Sequence, residues 1–554
     1  MCTDLTIGAN IGCKGAARQP TVSRNAASTL EFAEQVTDAV ADWLVSGFAA
    51  GPFHPSSRPA NAKVNGMMCR QKPNGSARII LNLSAPKGSS VNDGIDSDEF
   101  PTTMSSTQKW LSVLDKAGRK CLIVKLDWAS AYKHLAVRVE DIPLQYFNWL
   151  GMDFVELCLV FGCASSAGLY DRLAKVVLAL VLLYSKFPPD MVCQYLDDVC
   201  GAAPAGSPDL QKFEDAYRHI ANHLGVLLAP TTDPDKAFSP CTHGTVLGVS
   251  YDTMNWTWSI PPDKYARLLN QIRTADNAEK LKQHEIWSLV GRILHYAPLV
   301  PDGKFFISEL IKANSFSKDR NEWVVVTAEL RRQLHFWWCM LKTLNNASTI
   351  PAPTRFPAWT VEFHTDAAGG SLLSQGHGTG GCSGPFWFYV FWGRRINCGM
   401  RGADGKRFSR KLSALELVGP LICVSAGREL CRLNPVRIWV DNAGSVSIFK
   451  KGYSTTCDLC NTLVSAIARV SAALGCKITV DKIARCSDTS SQLADFLSKG
   501  RFSQFLDSWP AGQPRSLEPA WIPPAILDWI DNPRILSDLG ERILTDIKNR
   551  DGYI

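Results

Sequence analysis

The sequence has no apolar segment long enough to cross a lipid bilayer. Its most apolar run, VVLALVLLY from Val176 to Tyr184, is far shorter than the ~20 residues that a membrane-spanning helix needs. The N-terminus also has no secretory signal. These absences predict an intracellular protein, in the cytoplasm or the nucleus, with no membrane partner. They also predict that the apolar run is a core helix.

Cysteine pairs with the spacing of a zinc site are scarce as well. The 18 cysteines are scattered, many of them in apolar segments, and this pattern indicates reduced, buried thiols. Cys457 and Cys460 form a CxxC pair, but Cys476 and Cys486 are ten residues apart. A structural zinc site needs a second close pair, so zinc binding is the less favoured alternative here.

Positively charged side chains outnumber negatively charged ones only slightly. Lys and Arg number 59 and Asp and Glu number 52, which gives a net charge of +7 over 554 residues. This balance fits a polyanionic ligand held in a local groove, although it does not demonstrate one. The hydrophobic fraction of 46% is typical of a globular protein, and the length predicts several domains with ample core.

Two adjacent carboxylates, Asp197 and Asp198, stand in the segment MVCQYLDDVCG. Apolar, β-prone residues flank them, and this pattern predicts a tight strand-turn-strand with both acids at its tip. Asp127 ends a second apolar run, CLIVKLD, which indicates a buried strand. Three such carboxylates are suited to hold two Mg²⁺ ions for phosphoryl transfer. The YLDD string alone is equally typical of a solvated hairpin tip, so the interpretation depends on Asp127.

Four further acids lie in the C-terminal half. Asp366 in FHTDAAGG and Asp441 in VRIWVDNAGS each end a strand-like segment, whereas Glu416 and Asp495 lie on helix-like segments. Each acid alone would be a surface residue by default. The ordered alternation of strand and helix makes a chance arrangement improbable.

These patterns resemble a known family. The spacing D-x-x-x-A-Y from Asp127 to Tyr132, together with YLDD, resembles motifs A and C of reverse transcriptases, and the four later acids resemble the ribonuclease H signature. The segments GPF, NLSAPKGSSVND and LADFLSKG are similar to retrotransposon polymerases of the DIRS-like, tyrosine-recombinase group. The resemblance implies an α+β right-hand polymerase with fingers, palm and thumb, followed by an α/β ribonuclease H-like domain.

For the polymerase, the resemblance implies that Asp127, Asp197 and Asp198 are catalytic and bind two Mg²⁺ ions, with Mn²⁺ as the alternative metal. The backbone carbonyl of Trp128 would be a further ligand. Tyr132 corresponds to the steric gate, whose ring crowds a ribose 2′-hydroxyl and favours dNTPs over rNTPs. The alternative for Tyr132 is an ordinary core tyrosine.

The resemblance also implies a dNTP-binding site formed by Lys72, Arg78, Tyr132, Phe161, Gly162 and Lys236. Lys72 and Arg78 flank a turn signal in the fingers hairpin, and arginine can bind phosphate oxygens bidentately. Gly162 permits close approach of the backbone to template and nucleotide. Val160 and Ala167 replace turn-forming residues that the family usually has around this loop, so the shape of the loop is left open.

For the ribonuclease H domain, the resemblance implies that Asp366, Glu416, Asp441 and Asp495 are catalytic and bind two Mg²⁺ ions that activate water against an RNA phosphodiester. Arg485 stands where many relatives have a mobile histidine. We therefore expect product release or water handling to differ from those relatives.

The predicted organisation has five parts. Residues 1–48 form an N-terminal extension, mobile up to residue 27, with one helix that a capping box at Ser28 begins and that runs to about Ser46. Residues 49–262 form fingers and palm, 263–349 thumb and connection, 350–500 the ribonuclease H-like domain, and 501–554 a C-terminal tail with no assigned activity and a last helix near 535–548.

The predicted function is that of a retrotransposon RNA-directed DNA polymerase with ribonuclease H activity. Its expected partners are an RNA template, a DNA primer, an RNA–DNA hybrid and dNTPs. One alternative is a catalytically silent, element-derived nucleic-acid-binding protein. Another, an RNA-copying RNA polymerase, is disfavoured by Tyr132. No DTG-type protease motif is present and no room remains for a recombinase, so we expect a fragment of a larger element product or a separately encoded polymerase.

Overall fold

The computed structural model divides into two compact units of mixed α/β architecture. The first comprises Met1–Trp258 and Thr349–Pro353, and the second comprises Ser259–Ser348 and Thr354–Ile554. The structure describes residues 2–71, 75–351, 361–367, 377–383, 386–392, 407–484, 487–499, 501–509, 521–531, 536 and 538–552. The predicted site residue Lys72 and Arg485, where the resemblance led us to expect a histidine, lie outside the described residues.

The first part of the chain contains six α-helices and twelve strands within its described residues. The helices are α1 (Cys2–Ile7), α2 (Ala27–Glu31), α3 (Ala33–Val45), α4 (Thr107–Ala117), α5 (Ser166–Ser185) and α6 (Asp209–His223). The strands are β1 (Ala49–Phe53), β2 (Val64–Gln71), β3 (Ala77–Asn82), β4 (Leu122–Asp127), β5 (Tyr146–Trp149), β6 (Met152–Glu156), β7 (Val192–Tyr195), β8 (Asp198–Ala203), β9 (Phe238–Cys241), β10 (His243–Val246), β11 (Val249–Asp252) and β12 (Thr257–Ser259).

Two sheets of the first unit carry residues of the first predicted site. One has the antiparallel order β7-β8-β4-β9. The other has the order β1-β6-β5-β2-β3, in which β2 and β5 are parallel. Val124 and Leu126 of β4 belong to the same core as Leu173 of α5 and Phe213 of α6. The predicted buried strand that ends at Asp127 is therefore confirmed.

The N-terminal segment differs from the prediction of one helix and a mobile start. It contains three α-helices, and the buried residues Ala9, Ile11 and Cys13 belong to the core of the first unit. The backbone N–H of Ile11 donates to Asp141 Oδ2 at 3.1 Å. A polar, small-residue composition did not reveal this burial, because the partners are more than a hundred residues away.

The predicted capping box at Ser28 is also wrong. Helix α2 begins at Ala27 and ends at Glu31, and α3 begins separately at Ala33, so the predicted single helix is broken. Ser28 Oγ instead accepts a hydrogen bond from the N–H of Cys69, and Thr29 Oγ1 donates to the Met67 carbonyl. Both hydroxyl groups bond α2 to β2. The sequence pattern of a capping box contains no information about that distant strand.

Helix α5 is only partly the core helix that the apolar run predicted. Val177 and Val181 are buried, but Leu180 and Leu183 are 44% and 76% exposed. One face of this helix therefore packs in the core, and the other face is exposed to solvent. Within the described ranges, no helix combines the length and apolarity needed to cross a membrane.

The remainder of the chain contains twelve α-helices and eight strands within its described residues. They are α7 (Pro262–Asn277), β13 (Lys280–Lys282), α8 (Gln283–Tyr296), α9 (Ser308–Asn314), β14 (Trp323–Val325), α10 (Ala328–Thr343), β15 (Ala347–Thr349), β16 (Val361–Ala367), β17 (His377–Ser383), β18 (Phe386–Trp392), α11 (Arg407–Ala426), α12 (Arg428–Cys431), β19 (Pro435–Val440), α13 (Ala443–Lys451), α14 (Asp458–Ala473), β20 (Lys477–Lys482), α15 (Thr489–Ser498), α16 (Phe502–Asp507), α17 (Pro524–Asp531) and α18 (Leu539–Asp551).

The main sheet of the second unit is mixed, with the order β18-β17-β16-β19-β20. Strands β16, β19 and β20 are parallel neighbours, and β17 and β18 are antiparallel additions. Parallel strands need a crossover, and α13 and α14 supply it between β19 and β20. The C-terminal segment belongs to this core, because Trp529 and Ile543 are buried in it. Its last helix begins at Leu539, later than predicted.

Candidate active sites

The register of the sheet brings the first set of carboxylates together. Asp127 stands directly opposite Asp198 across β4 and β8, and Tyr195 stands opposite Asp198 across the β7–β8 hairpin. Leu196 and Asp197 are left as a two-residue turn, with Leu196 at a φ of 51°. A tight hairpin turn of this length uses such left-handed residues. The predicted strand-turn-strand is confirmed.

We define the first acidic cluster as Asp127, Asp197 and Asp198. Burial and mutual repulsion raise the pKa of two of its members, Asp127 and Asp198. Burial raises the pKa of Asp127 to about 6, the charge of Asp197 adds to the rise, and Lys236 opposes it. Burial likewise raises the pKa of Asp198, against the effect of Lys125. Carboxylates held together in this way favour a bound cation.

Two lysines compensate the negative charge. Lys236 Nζ lies 3.3 Å from Asp127 Oδ2, and Lys125 Nζ lies 3.3 Å from Asp198 Oδ1. The Lys125 side chain is only 8% exposed, and its ammonium also donates to the Asp235 carbonyl at 2.9 Å. Sequence reasoning predicted Lys236 but missed Lys125. The available signal was a lysine inside an apolar strand, two residues before Asp127 and hence on the same face.

Three of the predicted nucleotide-binding side chains form a row beside the cluster. The rings of Tyr132 and Phe161 are 4.7 Å apart, and the Arg78 guanidinium lies 5.3 Å from the Phe161 ring. Tyr132 is half-buried and packs against the core. Burial raises the pKa of Tyr132, and the charge of Asp197 contributes. The structure thus brings Arg78, Phe161 and Tyr132 together next to the carboxylates.

The Phe161–Gly162 loop has a defined anchor. Gly162 has a φ of 107°, and a Cβ there would lie 2.0 Å from the Leu81 carbonyl oxygen, so a side chain cannot fit. Asn92 Nδ2 donates to the Gly162 carbonyl at 2.7 Å, and Asn92 Oδ1 accepts from the N–H of Ala164 at 2.9 Å. Asn92 was missed from the sequence. It holds this loop through both hydrogen bonds.

Trp128 anchors the strand end that carries Asp127. Its side chain is buried, and its indole N–H donates to the Tyr217 hydroxyl at 2.8 Å. The Asp127 carbonyl accepts from the N–H of Ala229 at 2.8 Å. The predicted role of the Trp128 carbonyl as a metal ligand stays a prediction.

A second acidic cluster, which we define as Asp366, Glu416 and Asp441, is more compact. One carboxylate oxygen of each residue lies within 4.8 Å of the others. Asp366 and Asp441 follow Thr365 and Val440, which are paired in register on the parallel strands β16 and β19. Neighbouring parallel strands bring their ends to one edge of the sheet, and this explains the convergence.

Helix α11 delivers Glu416, which is 2% exposed, to the same edge. A Cβ at Gly419 would lie 2.8 Å from the side chain of Thr365. The absence of a side chain at Gly419 therefore lets the helix approach β16 closely. Oxygen ligands from carboxylates suit Mg²⁺ or Mn²⁺. Among the described residues, this is the one group of three His, Cys, Asp or Glu side chains whose ligand atoms lie so close together.

Asp495 lies on α15 and outside this compact group. It is 5% exposed, and its Oδ1 is 2.5 Å from Lys499 Nζ. Ser498, one turn further on, donates to Asp366 Oδ2 at 2.5 Å and is 3.0 Å from the Asp495 carbonyl. Sequence reasoning did not identify Ser498. Asp488 caps α15 and accepts from the N–H of Ser491.

No protein-family model and no curated protein sequence matches the chain. Solved structures of a foamy viral protease–reverse transcriptase are similar to it. In one complex with double-stranded DNA, the identity is 16%, the match covers 86% of this chain and 87% of that chain, and the TM-score is 0.46. In a complex with an RNA/DNA hybrid, the values are 15%, 84%, 55% and 0.47. At these values the likeness does not assign a family.

Proposed function

We propose that this chain is an RNA-directed DNA polymerase of a retrotransposon of the DIRS-like group, with a ribonuclease H activity. The observation that carries the proposal is the pairing of Asp127 with Asp198 at the end of two antiparallel strands, with Asp197 in the adjoining turn. In this proposal the β7-β8-β4-β9 sheet is the palm, the β2–β3 hairpin belongs to the fingers, and residues 263–349 form thumb and connection. Residues 350–500 are the ribonuclease H-like domain.

The first cluster fits a divalent cation, because three carboxylates lie together and burial raises the pKa of Asp127 and Asp198. Asp127, Asp197, Asp198 and the Trp128 carbonyl would hold two Mg²⁺ ions. When bound, such ions lower the pKa of a primer 3′-hydroxyl and neutralise the leaving pyrophosphate. Lys236 Nζ lies 3.3 Å from Asp127 Oδ2, and in this proposal it gives a proton to the leaving pyrophosphate oxygen.

The neighbouring side chains account for selection of the nucleotide. Arg78 supplies a guanidinium for the triphosphate oxygens, and the half-buried Tyr132 ring crowds a ribose 2′-hydroxyl so that dNTPs are favoured. Phe161 packs between these two side chains. The hydrogen bonds from Asn92 keep the Phe161–Gly162 loop in place.

The second cluster fits a two-cation nuclease site. Asp366, Glu416 and Asp441 would share the metals, with Asp495 completing the set, and water activated there would attack an RNA phosphodiester. The hydrogen bond from Ser498 orients Asp366. A polymerase tethered to a hybrid-specific nuclease is suited to copy RNA into DNA, with an RNA template, a DNA primer and dNTPs as substrates.

Separation of the two activities tests the proposal. The full chain is assayed for extension of a DNA primer on RNA and for cleavage of an RNA–DNA hybrid. Asp197→Asn with Asp198→Asn should stop extension and spare cleavage, and Asp441→Asn should do the reverse. The matched controls are Asp190→Asn, whose side chain is 56% exposed, and the exposed Glu429→Gln.

The outcomes decide between the proposal and its rival. Both controls should retain both activities. Loss of both activities in either test variant would mean that the sites are not separable as argued. Binding of nucleic acid by a wild-type chain without either activity would instead support the silent nucleic-acid-binding protein.

A further inference from the structure

The turn that carries Tyr132 contains a strained residue. Ser130 has a φ of 54°, in the left-handed region that a residue with a side chain rarely adopts. Within the turn, the N–H of Lys133 donates to the Ser130 carbonyl at 2.8 Å. Strained backbone persists only where surrounding contacts hold it. The contacts between this turn and the rest of the first unit therefore decide where the Tyr132 ring stands.

Lys133, the neighbour of Tyr132, attaches the turn to a second sheet. Its ammonium donates to Glu156 Oε2 at 2.5 Å, and Glu156 is the last residue of β6. The two side chains are only 13% and 4% exposed. The ion pair therefore joins the turn that follows β4 to the sheet that contains β6 and the β2–β3 hairpin.

Aromatic rings surround the ammonium of Lys133. It lies 4.7 Å from the centre of the Trp43 ring and 6.0 Å from that of Phe48, which are distances typical of cation–π attraction. A buried charge that loses its partner is costly. An ammonium that moved away from this position would lose both the carboxylate and the rings, so the surroundings favour one position of Lys133.

The ion pair lies behind the nucleotide-binding side chains. A cavity of about 30 Å³ is lined by both partners of the pair and by Ile79, Leu81 and Phe161. Ile79 follows Arg78 on β3, and the Phe161 ring is 4.7 Å from the Tyr132 ring. Because this space adjoins the pair, a turn that is released from β6 can shift, and Tyr132 would then move relative to Arg78 and Phe161.

We propose that Lys133 and Glu156 form a positioning pair that holds the Tyr132 ring where it crowds a ribose 2′-hydroxyl, and that the pair thereby sets the preference for dNTPs over rNTPs. The inference rests on the proposed polymerase function, because Tyr132 has a sugar to exclude only in that reaction. Both residues act through Tyr132 and take no part in the chemical step. Sugar discrimination should therefore change more than the rate of dNTP addition.

Sugar selectivity of the full chain tests the pair. Glu156→Gln removes the negative charge, and kcat and KM are measured for one dNTP and its rNTP in primer extension on RNA. The ratio of the two kcat/KM values should fall roughly tenfold, because the released ring excludes the 2′-hydroxyl less well. The change should come mainly from a lower KM for the rNTP, while kcat for the dNTP stays within about twofold.

Asp153→Asn is the matched control. Asp153 lies on the same strand, is fully buried and pairs with Arg58 at 2.7 Å, so this variant also breaks a buried ion pair but leaves the turn of Tyr132 attached. It should keep the wild-type selectivity. Wild-type selectivity in Glu156→Gln, or an equal fall in both variants, would overturn the proposal.

A double variant separates positioning from stability. Lys133→Met combined with Glu156→Met removes both charges, so no buried charge is left without a partner. It should regain the melting temperature that Glu156→Gln loses but should not regain the selectivity. Recovery of selectivity together with stability would show that the pair is merely structural and would contradict its positioning role.

Hydrogen exchange locates the effect without any enzymatic assay. The peptide that covers residues 129–135 should exchange roughly tenfold faster in Glu156→Gln than in the wild-type chain or in Asp153→Asn. Unchanged exchange would overturn the positioning role even if selectivity fell. Absence of primer extension by the wild-type chain would instead contradict the proposed function, and the exchange rates would then decide alone whether the pair holds the turn.

Discussion

The two acidic clusters gather negative charge in different ways. In the first, Asp127 and Asp198 each contact a lysine, and one of these lysines is almost fully buried. In the second, three carboxylate oxygens lie within 4.8 Å of one another, Asp366 contacts the hydroxyl of Ser498, and the nearby Lys499 pairs with Asp495. The protein itself compensates part of the negative charge of the first cluster, with two lysines against three carboxylates. The second depends more on a cation from solution.

The largest expected effect distinguishes the second cluster from the neighbouring Asp495. Asp441→Asn removes an oxygen from the compact group and should reduce cleavage of an RNA–DNA hybrid by at least about a thousandfold. Asp495→Asn changes a carboxylate outside that group and should reduce cleavage less. Cleavage rates at saturating Mg²⁺ measure the difference. An equal loss of cleavage in both variants would show that Asp495 is as important for the reaction as the three residues of the second cluster.

Removal of Lys125 should be costly for the first cluster. Lys125→Met leaves Asp198 without its nearest cation and should lower the free energy of unfolding by about 2–3 kcal/mol, since a partly buried charge loses its partner. Urea unfolding and hydrogen exchange of peptides covering β4 and β8 measure the effect. Added Mg²⁺ should recover part of the loss. No loss of stability would show that the lysine does not balance the cluster.

Asp127→Asn should stabilise the metal-free protein at pH 7. Because the pKa of Asp127 is raised to about 6 in the folded protein, its charged form opposes folding at neutral pH, and one pKa unit corresponds to about 1.36 kcal/mol. The gain should be roughly 1–3 kcal/mol at pH 7 and should vanish below pH 4, where the carboxyl is protonated in both states. Unfolding in EDTA at both values measures it, with Asp190→Asn as control.

The smallest expected effect is that of replacing Lys499 in the second unit. Lys499 is 31% exposed and pairs with Asp495 one turn away on the same helix. Lys499→Met should therefore cost less than about 1 kcal/mol, in contrast to Lys125→Met. Urea unfolding of the two variants side by side gives the comparison. Equal costs would remove the distinction between the clusters.

The carboxylates could be predicted from the sequence because each lies at the end of a strand, in a tight turn between two strands, or on a helix, and these elements have local sequence patterns. Asp127, Asp197 and Asp198 are brought together by β register, and Asp366 and Asp441 by parallel neighbours. Local periodicity predicts such strands, and the order of motifs along the chain suggested their pairing.

The residues that hold these sites in place by hydrogen bonds could not be predicted from local sequence patterns. Asn92 bonds a loop seventy residues later in the chain, and Ser498 reaches Asp366 over 132 residues. The prediction of a mobile N-terminal segment was wrong for the same reason, because the backbone N–H of Ile11 donates a hydrogen bond to the distant Asp141. Composition gives only the average polarity of a segment, whereas these positions depend on hydrogen-bond partners that are distant in the sequence.

Extension of a DNA primer on an RNA template by the full chain, with dNTPs and Mg²⁺, tests the central claim most directly. The wild-type chain should extend the primer, and the variant with Asp197→Asn and Asp198→Asn should not, although it still cleaves an RNA–DNA hybrid. Extension that survives in this double variant would contradict the assignment of the first cluster as the polymerase site.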